Sequence, residues 1–226
     1  MFLGHYAVGL AAKRVAPRTS LGVLFAAVQL VDLIWPIFLL LGWEQVRIQP
    51  GNTAFTPLDF TYYPFTHSLL AAVGWSCAAA LVYWAVTRYR TGTLIVGLCV
   101  LSHWVLDFIV HRPDLPLIPG ISAKVGLGLW NAPVATVILE GILFVAGIWL
   151  YVRATRPRNR TGTFALWSLL AVLVLIYASS IVSPPPQDVK SVAVFALAGW
   201  LVPFWAYWAD RNRSSTQRKE APSAAS

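Results

Sequence analysis

The chain has 226 residues, 58% of them hydrophobic and 12% charged, with a mean hydropathy of +0.65, which excludes an ordinary soluble domain and marks a polytopic membrane protein. The net charge of +8 does not point to nucleic acid, because the basic residues lie in short clusters between apolar runs and gather on no single soluble face. Its two cysteines, Cys77 and Cys99, both fall inside apolar runs, so a secreted disulfide framework is excluded as well.

Residues 3–15 show a helical pattern too short to cross a bilayer, since a span needs about 20 mostly apolar residues. This segment is expected to lie in the interface or to re-enter from one side. Its apolar stretch "MFLGHYAVGLAA" precedes the basic "KRVAPR", the reverse of a secretory signal, and it is read as part of the mature protein. Six spans follow, at about 20–42, 67–87, 93–111, 132–152, 163–183 and 190–209. Tryptophans mark several expected helix ends, at Trp43, Trp84, Trp149, Trp205 and Trp208, where amphipathic rings favour the headgroup level. The fold expected is an all-α membrane bundle, with one transmembrane domain over residues 1–209.

Basic residues set the orientation. One set of ends holds Lys13, Arg14, Arg18, Arg88, Arg90, Arg153, Arg156, Arg158, Arg160, Arg211, Arg213, Arg218 and Lys219, whereas the other holds only Arg47, Arg112, Lys124 and Lys190. The positive-inside rule then places both termini in the cytoplasm of a multi-pass protein. The outer connections 43–66 and 112–131 are long and rich in Pro and Gly, as befits ordered coverings over a site. The polar stretch 210–226 is expected to be a disordered cytoplasmic tail. No internal repeat supports an inverted-repeat transporter.

Ionisable side chains within spans are costly, by at least ~2.5 kcal/mol near the bilayer centre, and they face a bundle interior or a cavity. Here they are few: Asp32 in "QLVDLIWP", His67 in "FTHSLL", His103, Asp107 and His111 in "SHWVLDFIVH", Glu140 in "VILEGIL", and His5 on the short first helix. A helical rise of ~1.5 Å per residue puts Asp32 and His103 roughly 15–18 Å from the cytoplasmic basic clusters. On the same scale the other five lie in the central to outer half of the membrane. His103, Asp107 and His111 share one helix face, being four residues apart. An imidazole and a carboxylate one turn apart are able to chelate a divalent cation. A single buried His is more often a structural hydrogen-bond partner than a ligand, and Cys99 on the same stripe reads better as a core residue. Yet no Lys or Arg lies inside a span to balance Asp32, Asp107 and Glu140, so a cation, protonation or a histidinium must.

"GHYAVGL", Asp32, "THS" at 66–68 and "SHWVLD" at 102–107 together resemble the bacterial inner-membrane family of membrane-bound metal-dependent hydrolases, over roughly residues 1–111. The resemblance implies a metal site built from His5, Asp32, His67, His103 and Asp107. It also implies residence in the bacterial inner membrane. Two features depart from the family pattern. Tyr62 and Tyr63 stand where it has a His and an Arg before Thr-His-Ser, and a single Asp32 replaces its Asp-x-Asp pair.

The expected function is a hydrolase that uses a divalent metal, zinc by its mixed His and carboxylate donors, on a lipid or lipid-linked ester or phosphoester near the outer leaflet. Glu140 and His111 are the candidate base and acid, and membrane lipids the expected partners. Three other readings stay open: divalent-ion or proton binding and transport without hydrolysis, bis-histidine haem between the second and third spans, and a catalytically degenerate member of the family.

Overall fold

Apolar runs long enough to span a bilayer become helices throughout the computed structural model, which describes residues 1–120 and 123–216. In chain order the helices are α1 (Leu3–Val15), α2 (Leu21–Val28), α3 (Leu30–Leu40), the single turn α4 (Pro64–His67), α5 (Leu69–Thr87), α6 (Arg90–Val110), α7 (Pro133–Ala154), α8 (Arg160–Val182), α9 (Val189–Leu197) and α10 (Leu201–Arg211). Five segments are long and apolar enough to cross a membrane: α5, α6, α7, α8 and Val189–Arg211. The pair α2 and α3 makes a sixth when counted as one span.

Two expected spans are not straight helices. The first breaks at Gln29 with a bend of 54° between α2 and α3. The last is interrupted by the 3-10 turn Ala198–Trp200 between α9 and α10. Apolar length dictates helix, but it does not reveal where tertiary contacts draw a carbonyl or a side chain out of the helical ladder.

Helix α1, too short to span, is packed inside the bundle. Leu3, His5, Tyr6, Leu10 and Ala16 are buried, and the helix packs chiefly on α7, with further contacts to α2 and α6. The approach to α7 is close because Gly147 lies against the backbone of Ala7, where an added Cβ would sit 2.6 Å from the carbonyl oxygen. Both ends of α1 are tied by buried polar groups. At its C-terminal end Lys13 Nζ donates to Asp210 Oδ2 at 2.6 Å, and Asp210 also accepts from the Tyr151 hydroxyl and the Leu21 amide. At the other end the Phe2 and Gly4 amides donate to Glu140 Oε2 at 2.9 and 3.2 Å.

One end of the bundle carries two small antiparallel hairpins. Strands β1 (Gln45–Ile48) and β2 (Leu58–Tyr62) pair Arg47 with Asp59 across a bulge, and β3 (Leu115–Pro116) pairs with β4 (Lys124–Val125). Trp35, Val46, Tyr63 and Leu115 form a small core beneath them. At the opposite end β5 (Thr155–Pro157) pairs with β6 (Arg213–Ser215). This corrects the expectation of a tail disordered from residue 210: α10 runs to Arg211, and buried Arg213 donates to Thr155 Oγ1 and the Gly162 carbonyl. The partners that order this segment lie some 50 residues earlier in the chain, so its polar composition gave no sign of them. Residues 217–226 of the expected tail lie outside the described residues.

Candidate metal centre

Two breaks in helical regularity help to place the site. Val28 is the last residue of α2, and its carbonyl accepts a hydrogen bond from His103 Nδ1 at 2.7 Å. Asp32 is the third residue of the next helix, within its first turn, where the exposed amides of a helix N-terminus favour an anion. His67 is the last residue of α4. The backbone turns extended at Ser68, whose hydroxyl caps α5 by accepting from the Ala71 amide. His103 and Asp107 project from one face of α6, and His5 comes from α1.

The structure brings His5, Asp32, His67, His103 and Asp107 together. Two groups, His5 with His103 and Asp107, and Asp32 with His67 and His103, each hold ligand atoms within 4.8 Å of one another. His103 Nε2 is 3.1 Å from Asp107 Oδ2 and 3.5 Å from Asp32 Oδ1. His67 Nε2 is 3.2 Å from Asp32 Oδ1 and 4.0 Å from Asp107 Oδ2. His5 stacks flat on His103 with ring centres 3.7 Å apart, and its Nε2 is 3.1 Å from Asp107 Oδ1. The amino group of Met1 donates to the same oxygen at 2.6 Å.

The proton inventory of this cluster is informative. A carbonyl only accepts, so His103 Nδ1 carries the hydrogen that reaches Val28. In the neutral ring Nε2 is then a lone pair, and it faces two carboxylates. Consistent with this, His103 Nε2 is buried and makes no hydrogen bond. His67 repeats the pattern through a relay. Glu44 Oε2 accepts from the Thr66 hydroxyl at 2.7 Å, which leaves Thr66 Oγ1 to accept from His67 Nδ1–H at 2.6 Å. The His67 lone pair therefore also points at carboxylate. The Met1 ammonium offsets one carboxylate charge at Asp107 Oδ1, and the remaining acceptors facing one another repel unless a further cation or added protons stand among them.

The residues fit a metal. Donors at zinc's bond lengths of about 2.0–2.2 Å stand roughly 3.3–3.6 Å apart across a tetrahedral angle, and the four imidazole–carboxylate distances above run from 3.1 to 4.0 Å. His67 and His103 also have their outer nitrogens fixed by a second partner, the arrangement that holds ligating imidazoles in one tautomer, whereas His5 Nδ1 is buried without a hydrogen-bond partner.

Glu140 and His111 sit apart from these donors. Glu140 Oε2 receives the two amides at the start of α1, and its Oε1 is buried with no hydrogen-bond partner. His111 caps the end of α6, and its Nδ1 lies 2.9 Å from Asp114 Oδ1. Tyr63 donates to that same oxygen at 3.1 Å, while Arg112 contacts both Asp114 and Asp59. Burial first, and then the Asp114 carboxylate, push the Tyr63 phenol well above its usual value, so it remains a donor. Glu44, Thr66, Tyr63 and Asp114 were not among the residues expected to form the site. Thr66 had a signal in its place within the Thr-His-Ser triplet, and Tyr63 was noted only as a departure from the family pattern.

A cavity of about 570 Å³ joins these groups. Asp32, His67, Asp107, His111 and Glu140 line its polar wall, and residues of the N-terminal segment, α3, the β1–β2 hairpin, α8, α9 and α10 form most of the rest. The Asp32 side chain is 42% exposed, which opens the cluster to this space. A wider groove of about 810 Å³, lined by aromatic residues such as Phe38, Trp43 and Trp75, carries none of the centre's donors.

Comparison with known proteins supplies the lineage. A family model described as YdjM inner membrane protein matches residues 1–183, and the chain belongs to that family. No curated protein and no solved structure matches it.

Proposed function

We propose that this member of the YdjM inner membrane protein family is a membrane-embedded, metal-dependent hydrolase of lipid or lipid-linked esters or phosphoesters near the outer leaflet. The observation that carries the reading is the pair of imidazoles, His67 and His103, whose Nδ1 hydrogens are engaged elsewhere while their Nε2 lone pairs face Asp32 and Asp107 at a cavity wall. His67, His103, Asp32 and Asp107 would hold the ion, with His5 stacked behind His103 and bonded to Asp107. A bound divalent ion, zinc by this donor set, supplies Lewis acidity toward an ester or phosphoryl oxygen and acidifies water.

The protein's own residues account for the rest. Asp114 accepts from His111 Nδ1–H and so leaves His111 Nε2 free, on a residue that lines the cavity, to take a proton or to deliver one to a leaving group. Glu140 fixes the start of α1, and with it His5. The apolar walls exclude bulk water and so strengthen every charge interaction at the polar side. Thirteen of seventeen Lys and Arg residues fall at one set of span ends in the sequence, which supports a cytoplasmic placement of those ends and a site toward the outer leaflet, with the Met1 amino group reaching inward to Asp107. Transport through the bundle is disfavoured, because fully buried Leu10, Leu21, Leu24 and Phe25 fill the interior on the side of the Lys13–Asp210 pair.

Metal analysis of the purified protein beside His103→Ala and Asp107→Ala tests this reading. Wild type is expected to carry about one divalent ion per chain and each variant far less. Negligible metal in all three, with elution profiles showing them folded, removes the mechanism.

A further inference from the structure

We propose that the cavity is a hydrocarbon-chain compartment with a lateral mouth between α8 and the α9–α10 segment, so that the substrate is a lipid that enters sideways from the bilayer. The inference rests on the hydrolase reading for its chemistry and on the cavity for its substrate class. Helix α9 packs on α3, whereas α10 packs on α2 and α8. The 3-10 turn Ala198–Trp200 joins them, with the Trp200 indole N–H donating to the Leu33 carbonyl and with Ala198 and Gly199 lining the cavity. Phe195 and Leu201 flank that turn and line the cavity, yet they are 70% and 67% exposed on the outer apolar face of the bundle. Residues that border both spaces mark the place where the spaces meet.

The hairpin end is covered. Phe55 reaches from the β1–β2 loop to Tyr177 of α8, with ring centres 6.0 Å apart, and Trp130 stands 4.2 Å from His111. Val172 and Ile176 on the α8 wall lie 12 and 16 residues from Arg160, roughly 18–24 Å along the helix. The mouth therefore opens inside the ~30 Å apolar core and not at the headgroup level. A soluble polar molecule taking that route meets no hydrogen-bonding partner until the far wall, a costly desolvation. A hydrocarbon chain meets Val172, Ile176, Val202 and Trp205, and leaves its ester or phosphoester nearest the carboxylates and imidazoles.

The test uses the full chain in phosphatidylglycerol vesicles doped with phosphatidylglycerol bearing a diazirine at its chain end, followed by irradiation and peptide mapping. Val202 is 8% exposed and reachable from within the cavity, whereas Leu175 is 66% exposed on α8 and does not line it. Label is expected at Val172 and Val202. It is expected to fall several-fold in Ala198→Trp, or in Ala196→Phe should the first variant not fold, and to persist in Leu175→Trp. Label confined to surface positions such as Leu175, or unchanged by both blocking variants, overturns the compartment. Metal content of the same samples separates the two proposals. Metal without interior label sinks the compartment alone, and interior label without metal sinks the hydrolase reading while the compartment stands.

Discussion

Thr66 shows how a residue that touches no metal can govern a site. Its hydroxyl donates to Glu44 and its oxygen accepts from His67, so one atom fixes both the tautomer and the aim of that imidazole. Thr66→Val keeps the shape and removes the relay, leaving the His67 Nδ1–H and a Glu44 oxygen unpaired in a buried place. A loss of about 10–100-fold in metal affinity is expected, with most of it recovered in Thr66→Ser. Competition against a chelator of known affinity measures both, and equal affinity in Thr66→Val and wild type would show that the relay does not orient the ligand. His103 has no equivalent side chain to remove, because its acceptor is the Val28 carbonyl. Here the sequence was legible in part. The donors stood out as ionisable residues in apolar runs, but Glu44 and Asp114, lying in connecting loops, looked like ordinary surface acids until the fold buried them at 2% and 6% exposure.

At the level of elements, the site depends on helices that stop short. The break at Gln29 sets Val28's carbonyl toward His103 and begins a new helix beneath Asp32, and the turn at Ser68 aims His67 inward. Broken helices that bring backbone groups and charges to a cavity are a recurrent way to build ion sites within a membrane. Helix α1 is unbroken and contributes through its close packing on α7. Its seat depends on Gly147, since a Cβ there would lie 2.6 and 2.8 Å from backbone atoms of Ala7, which cannot move aside as a side chain can. Gly147→Ala is therefore expected to cost about 1–3 kcal/mol through overpacking and to lower metal content by displacing His5. Thermal melts and metal analysis of the same preparation check this, and an unchanged melting temperature would show that α1 can retreat freely. The existence of α1 was plain from its sequence. Its burial was not, because thirteen residues of mixed polarity suit an interface as well as a bundle interior.

For the whole molecule, exposed apolar residues are the rule on the outer faces: Val86, Val134 and Val182 are each at least 74% exposed. Lipid tails are as apolar as these side chains, so no burial is needed there. The orientation proposed for the bundle can be checked in intact cells with a membrane-impermeant thiol reagent, in a Cys77→Ser background. Ala54→Cys is expected to label from outside and Arg158→Cys only after lysis; the reverse pattern would invert the topology and put the site toward the cytoplasm. The sequence by itself determined the solvent, the helical class, the approximate spans and the ionisable residues worth attention. It could do so because hydrocarbon imposes its demands residue by residue, forbidding unpaired backbone and making every charge conspicuous. Only the tertiary structure decided which of those residues meet, where helices break, and which loop acids stand behind which imidazoles. Those facts depend on contacts between positions a hundred residues apart and more, such as His5 with Asp107 and Phe2 with Glu140, and no local pattern encodes the distance between them.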